Sequence, residues 1–225
     1  MLFLRKLHKW LGLIIGLQLV LWAVSGVMFA WLDPDKVDGA GSVHAVEPSV
    51  LSSTLIKADP ATWLSNYPAQ DLYDVRAISL ADRWVWRVEL RDRVELRAIE
   101  DGAPVKVDEA WLRRLALGRY AGGGRLVTAT LQTQPDIASR ASGPVWQVQF
   151  DDPQRTALYF AADDGHFIAA RTASWRLYDF FWMLHTMDYW GRDNFNNPLI
   201  VTIGFAALWL SISGVLLLGR SFKWF

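Results

Sequence analysis

Two uninterrupted apolar runs, one near each end, leave this chain few ways to fold. Residues 10–32 (WLGLIIGLQLVLWAVSGVMFAWL) carry no charge, with Gln18 the most polar side chain, and residues 198–218 (PLIVTIGFAALWLSISGVLLL) are equally uncharged. At about 1.5 Å per residue, either run crosses a hydrocarbon layer of roughly 30 Å as a helix. Arg5, Lys6 and Lys9 resemble the charged opening of a signal peptide. However, the run that follows exceeds an ordinary signal core, and Met28 breaks the small-x-small pattern before Ala30, which favours a retained helix. Arg220 and Lys223 follow the second run. Basic outer flanks on both spans put residues 1–9 and 219–225 in the cytoplasm, and residues 33–173 on the opposite face, the periplasm of a Gram-negative cell. Trp10, Trp31 and Trp224 fall at span ends, where indoles favour the headgroup region, whereas Trp22 and Trp209 are mid-span packing residues.

Composition narrows the function. Acidic and basic residues balance at 23 each, so no overall field draws nucleic acid, and no basic stripe interleaved with aromatics offers a base-stacking groove. With no cysteine, disulfides, thiol nucleophiles, cysteine-ligated iron–sulfur clusters and covalent haem attachment are excluded. A cofactor must be held by histidine or by packing. No serine-histidine-acid order or paired-carboxylate motif points to hydrolysis.

Strand and turn signals dominate between the spans. Residues 84–90 (WVWRVEL) alternate apolar and charged side chains, residues 94–99 follow, and Asp101-Gly102 is a turn dipeptide, so a hairpin is predicted. Residues 145–150 (VWQVQF) alternate again, 157–161 are strand-like, Asp164-Gly165 turns the chain, and 167–170 return. Trp86, Val88 and Leu90 match Trp146, Val148 and Phe150, which implies a repeat of about sixty residues. Each copy has a helix ahead of it. The first, at 60–66, is short; the second, at 108–119 (DEAWLRRLALGR), has an N-cap Asp, an apolar stripe through Trp111, Leu112 and Leu115, and a basic end. Gly122-Gly123-Gly124 lacks the Lys-Ser/Thr of a phosphate loop and reads as a flexible connection.

Residues 174–190 (SWRLYDFFWMLHTMDYW) are too interrupted by charge to span, and fit an amphipathic helix at the outer interface within an interfacial segment 174–197. Small residues recur at helical spacing in both spans: Gly12, Gly16, Ala23 and Gly26 in the first, Gly204, Ala207, Ser211 and Gly214 in the second. They permit close packing of the two helices on each other or a homodimer seam; the sequence does not choose.

The opening R-K-L-H-K-W-L-G-L-x-x-G with W-A-V-S-G, the hairpin G-P-V-W-Q-V-Q-F-D-D ending in D-D-G-H, the segment D-F-F-W-M-L-H-T-M-D-Y-W and the closing L-W-L-S-I-S-G-V resemble the PepSY-associated transmembrane family. The resemblance covers nearly the whole chain, though Gly165-His166 stands where the family usually has Thr-Gly. It implies an α+β membrane protein: two transmembrane helices flanking a periplasmic domain of two PepSY-like α/β-hairpin units, at about 50–107 and 108–173. Members include bacterial inner-membrane reductases associated with siderophore and iron uptake, some binding haem b through membrane-proximal histidines. The implied function is an inner-membrane electron-transfer component, a subunit of a ferric or ferric-siderophore reductase. The other function the family offers is a regulatory binding module anchored in the bilayer and acting on a periplasmic partner. The chain has no flavin or nicotinamide fingerprint, so electrons must come from a separate donor protein or a membrane quinol.

Of the four histidines, His8 and His185 adjoin membrane segments, and the resemblance makes them candidate ligands of haem iron. Gly12, one turn from His8, leaves backbone open to a flat ligand, and His185 lies among Phe181, Trp182, Met183 and Tyr189. Against this, His8 can contact headgroups and His185 can hydrogen-bond within its helix. Met183 and Met187 are alternative ligands or gap fillers, and Asp179, Asp188 and Asp193 offer hard oxygen donors to iron or solvated charge. His8 and His185 fall on opposite sides of the bilayer, so one subunit cannot pair them on one iron. A two-fold dimer would pair each with its symmetry mate and stack two haems across the membrane.

Overall fold

A computed structural model describes residues 2–45 and 49–222, with side chains from residue 6 onward. Lys223, Trp224 and the side chain of Arg5, which entered the topology argument, lie outside the described residues. The chain divides into two compact units, Pro34–Ala173 and the two terminal stretches Met1–Asp33 with Ser174–Phe225.

Pro34–Ala173 is built on two four-stranded antiparallel sheets, each in sequential order. The first holds β1 (Leu72–Leu80), β2 (Arg83–Leu90), β3 (Val94–Ala98) and β4 (Pro104–Val105). The second holds β5 (Leu126–Gln132), β6 (Val145–Phe150), β7 (Ala157–Ala161) and β8 (Phe167–Arg171). Both predicted hairpins are present, as β2–β3 and β7–β8 with β6. The repeat extends further than the sequence pattern did: β1 and β5 pair with β2 and β6, and each has a register break at its start, at Leu72/Asp74 and at Leu126/Thr128.

The layers follow from which face of each strand is apolar. On β2, Val88 and Leu90 face one side and are covered by Trp63 of α3 (Ala61–Leu64). Val85, on the opposite side, joins Leu80 and Leu96 against α4 (Glu109–Arg119). Helix α4 buries Trp111, Leu112, Leu115 and Ala116 in a core shared with Val148, Phe150, Leu158 and Phe160 of the second sheet. Each helix thus covers its own hairpin, and α4 also covers the back of the first sheet, so one helix serves two sheets. The back of the second sheet has Val145, Ala157 and Tyr159 under Ala138 and Ala141.

The predicted cap holds α4: the Asp108 carboxylate accepts the Trp111 N–H at 2.7 Å. Asp108→Ala is expected to cost about 1 kcal/mol, read as a lower unfolding midpoint of the full chain in detergent.

The other unit contains α1 (Leu2–Trp31), α5 (Ala173–Thr186) and α6 (Pro198–Ser221), with a short helix α2 (Pro34–Asp38) opening the central unit. The predicted basic flank 1–9 is helical and continuous with the first span. Lys6–Trp31 and Pro198–Ser221 are long and apolar enough to cross a membrane, and only 17% and 11% of their most apolar windows are buried. A soluble core helix would be mostly buried. Here Leu13, Ile14, Leu17, Val20 and Val24 point outward while Gln18, Ser25 and Ser213 are buried, the inside-out pattern of helices in lipid.

Helices α1 and α6 are antiparallel, with His8 beside Ser213 and Gly12 beside Leu210. Counting along this register brings Pro198 level with about Val24, so α1 runs on past α6 for about 10 Å. Helix α5 packs along α1 from residue 29 back to residue 18: the Phe29 and Tyr178 rings lie 4.9 Å apart, and the α5 carboxyl end reaches Gln18. The amphipathic helix expected at 174–190 is present, but it lies lengthwise against α1. The last carbonyls of a helix lack partners within it. In α5, Leu184 O accepts from Gln18 Nε2 at 3.3 Å and His185 O from Trp22 Nε1 at 2.8 Å. Trp22, expected as mid-span packing, is thus also a cap.

Candidate histidine sites in the helical unit

Each membrane-proximal histidine is held by a serine on another helix. His185 Nδ1 lies 2.8 Å from Ser25 Oγ, and His8 Nδ1 lies 2.8 Å from Ser213 Oγ. A serine hydroxyl has one proton. Ser25 donates it to Leu21 O at 2.7 Å, and Ser213 donates to Leu210 O at 3.0 Å. With the serine protons on those carbonyls, both hydroxyls are free to accept from the imidazoles, and the matching tautomer carries its proton on Nδ1 and a lone pair on Nε2. Neither Nε2 has a hydrogen-bond partner among the described residues.

The same Ser-Gly-Val sequence recurs in both spans, at Ser25-Gly26-Val27 and Ser213-Gly214-Val215. Its serine receives a histidine each time, and at Gly214 an added Cβ would stand 3.3 Å from His8 Cε1. The two serines carried no assigned role in the sequence; the duplicated tripeptide was the available signal. Phe29 and Trp22 border the His185 ring, with centroids 5.4 and 6.3 Å away.

The other candidates separate from these sites. An added Cβ at Gly12 would lie 3.7 Å from Leu210 Cδ1, an ordinary contact, so Gly12 faces α6 and not an open ligand space. Met183 is two residues from His185 on α5, about 200° round the helix, and the two cannot share one metal. Met187 is buried just beyond α5. The carboxylates hold the turn between α5 and α6: Asp179 pairs with Arg192, and Asp188 accepts the N–H groups of Gly191, Asp193 and Asn194.

His8 and His185 do not meet. The helical rise of α1 from His8 to Ser25 puts roughly 25 Å between the two sites.

The central unit holds a third histidine in an ion-pair knot. Asp164, with a side chain 1% exposed, accepts from Arg87 Nε at 2.8 Å and from His166 Nδ1 at 2.6 Å, and Arg87 also reaches Glu89 at 2.7 Å. Despite burial, the hydrogen bonds from His166 and Arg87 hold the Asp164 carboxyl well below the usual carboxylate range. The bond to Asp164 in turn raises the His166 imidazole above its ordinary value. Asp163, Asp164 and His166 bring three donor atoms within 4.8 Å of one another. With the Asp164 oxygens already taken by Arg87 and His166, the cluster is an ion pair joining the two repeats.

No curated protein and no solved structure matches the chain. The family model of the PepSY-associated TM region matches residues 2–220, and the chain belongs to that family.

Proposed function

We propose that this membrane-anchored PepSY protein is an electron-transfer component that holds haem b through His8 and His185 and assists the reduction of ferric iron or ferric siderophores. The observation that carries the reading is the serine lock on both imidazoles. A metal-bound histidine keeps one nitrogen for the metal and donates the other N–H to a fixed acceptor. His8 and His185 both offer that arrangement, His185 among aromatic rings and His8 against Ser213 and Gly214 of the second span, so the donor set fits the group. Haem bound there would supply a one-electron couple. The protein's own part is to fix the tautomer and orient each ring through Ser25 and Ser213, and at His185 to keep water away with Trp22 and Phe29.

With one histidine at each site, a two-fold dimer is the arrangement that gives each iron a second imidazole. The topology that suits this function has both termini in the cytoplasm and Pro34–Ala173 in the periplasm of an inner membrane, supported by the basic residues flanking the spans. The electron donor is a separate protein or a quinol.

The test is a dithionite-reduced minus air-oxidised absorption spectrum of the full chain in detergent, after expression with ample haem. A sharp b-type difference spectrum is expected, diminished in His8→Ala and in His185→Ala. Ser25→Ala and Ser213→Ala are expected to loosen haem retention by about 10–100-fold while keeping the ligand. A flat spectrum in the wild-type chain would overturn the electron-transfer reading in favour of a regulatory binding module.

A further inference from the structure

A cleft of about 720 Å³ opens in the central unit where α4 meets the β1–β2 and β7–β8 turns. Its volume lies within the range of small-molecule sites. Phe160 and Phe167, in edge-to-face contact with centroids 5.7 Å apart, form an apolar floor together with Leu115. Arg114 and Arg119 add positive charge to the walls, beside His166 and Asp82.

These groups are not equally balanced. Arg114 pairs with Asp82 and His166 with Asp164. Arg119 has no carboxylate partner among the described residues. Its guanidinium stacks 4.7 Å over the Phe167 ring, and its Nε and Nη1 are buried without a hydrogen-bond partner. Leaving such groups unpaired away from water is costly, and an entering anion would lower that cost. A planar carboxylate is the natural counterpart of a guanidinium fork, and an aromatic body is the natural counterpart of the phenylalanine floor.

We infer that this cleft is a binding site for a small aromatic carboxylate, its ring on Phe160 and Phe167 and its carboxylate at Arg119. The site lies wholly within Pro34–Ala173 and does not depend on haem. In this reading the central unit recognises a ligand of its own.

The test is saturation-transfer NMR on the full chain in lipid nanodiscs, with benzoate and the neutral isostere benzamide as probes. Benzoate is expected to bind at least tenfold more tightly than benzamide. Arg119→Gln should remove that preference, and Arg119→Lys should retain part of it. Arg114→Glu, on an exposed side chain, makes the same test should Arg119→Gln fail to fold, and is expected to weaken benzoate severalfold. Equal binding of the two probes, or benzoate binding undiminished by these charge changes, would overturn the assignment.

Discussion

Asp164→Ala is expected to destabilise the central unit by about 3 kcal/mol, the lower end of the range for breaking a buried ion pair. The carboxylate is 1% exposed and answers two partners, and its loss leaves the Arg87 side chain, 15% exposed, without its buried counter-charge. Glu89 stays in contact with Arg87, which keeps the loss from being larger. The knot also sets a pH profile. Asp164 is depressed in the folded chain, so its contribution is present above the unfolded value of about 3.9 and is lost as pH falls through the folded one. His166 is raised, so its contribution is complete below the unfolded value of about 6.5 and is lost as pH rises through the folded one. Stability should therefore be greatest between about pH 4 and 6.5. Unfolding curves of wild type, Asp164→Ala and His166→Ala at pH 3, 5.5 and 8.5 check this. His166→Ala should lose the decline on the alkaline side, and a wild-type chain equally stable at pH 5.5 and 8.5 would contradict the account.

Gly102→Ala carries the second large effect, and its counterpart in the other repeat gives an internal comparison. Gly102 and Gly165 occupy the same turn in the two units, at φ 75 and 66. An alanine in that left-handed conformation costs about 1–2 kcal/mol at either position. The surroundings then differ. A Cβ at Gly102 would stand 2.1 Å from Trp63 Cδ1, whereas at Gly165 the nearest atoms are Val107 Cγ2 at 3.1 Å and Leu115 Cδ1 at 3.2 Å. Trp63 is buried, and Arg97 packs over its ring at 5.4 Å while donating to Gly102 O at 2.9 Å. Moving the indole should add about 1–3 kcal/mol. Gly102→Ala is thus expected to lose about 2–5 kcal/mol and Gly165→Ala less. Thermal unfolding of both variants gives the order, and a reversed order would mean that Trp63 can leave its place at little cost.

The features legible in the sequence were those with a local period. Two long uncharged runs, the alternation in 84–90 and 145–150, and an Asp ahead of an apolar stripe each mark their element within a dozen residues. Strands β1 and β5 were missed because their apolar residues do not alternate: in Leu126–Gln132 the half-buried positions are Leu126, Ala129 and Gln132, with Val127 and Leu131 exposed. The candidate site divides the same way. His8 and His185 stand out as rare titratable groups near spans, but their serines lie 205 and 160 residues away. Asp164 and Arg87, 77 residues apart, belong to different repeats. No pattern along the chain pairs such residues, since the pairing comes from how the helices and sheets pack.

The capping of α5 by Gln18 has a consequence for biogenesis. Gln18 enters the bilayer with the first span, and its acceptor, Leu184 O, is encoded 166 residues later. At about 5–20 residues per second, the amide waits roughly 8–33 seconds before that carbonyl is synthesised. During this interval the nascent span must keep a polar side chain in lipid or lend it to the insertion machinery, so the protein is completed in the membrane only when α5 arrives.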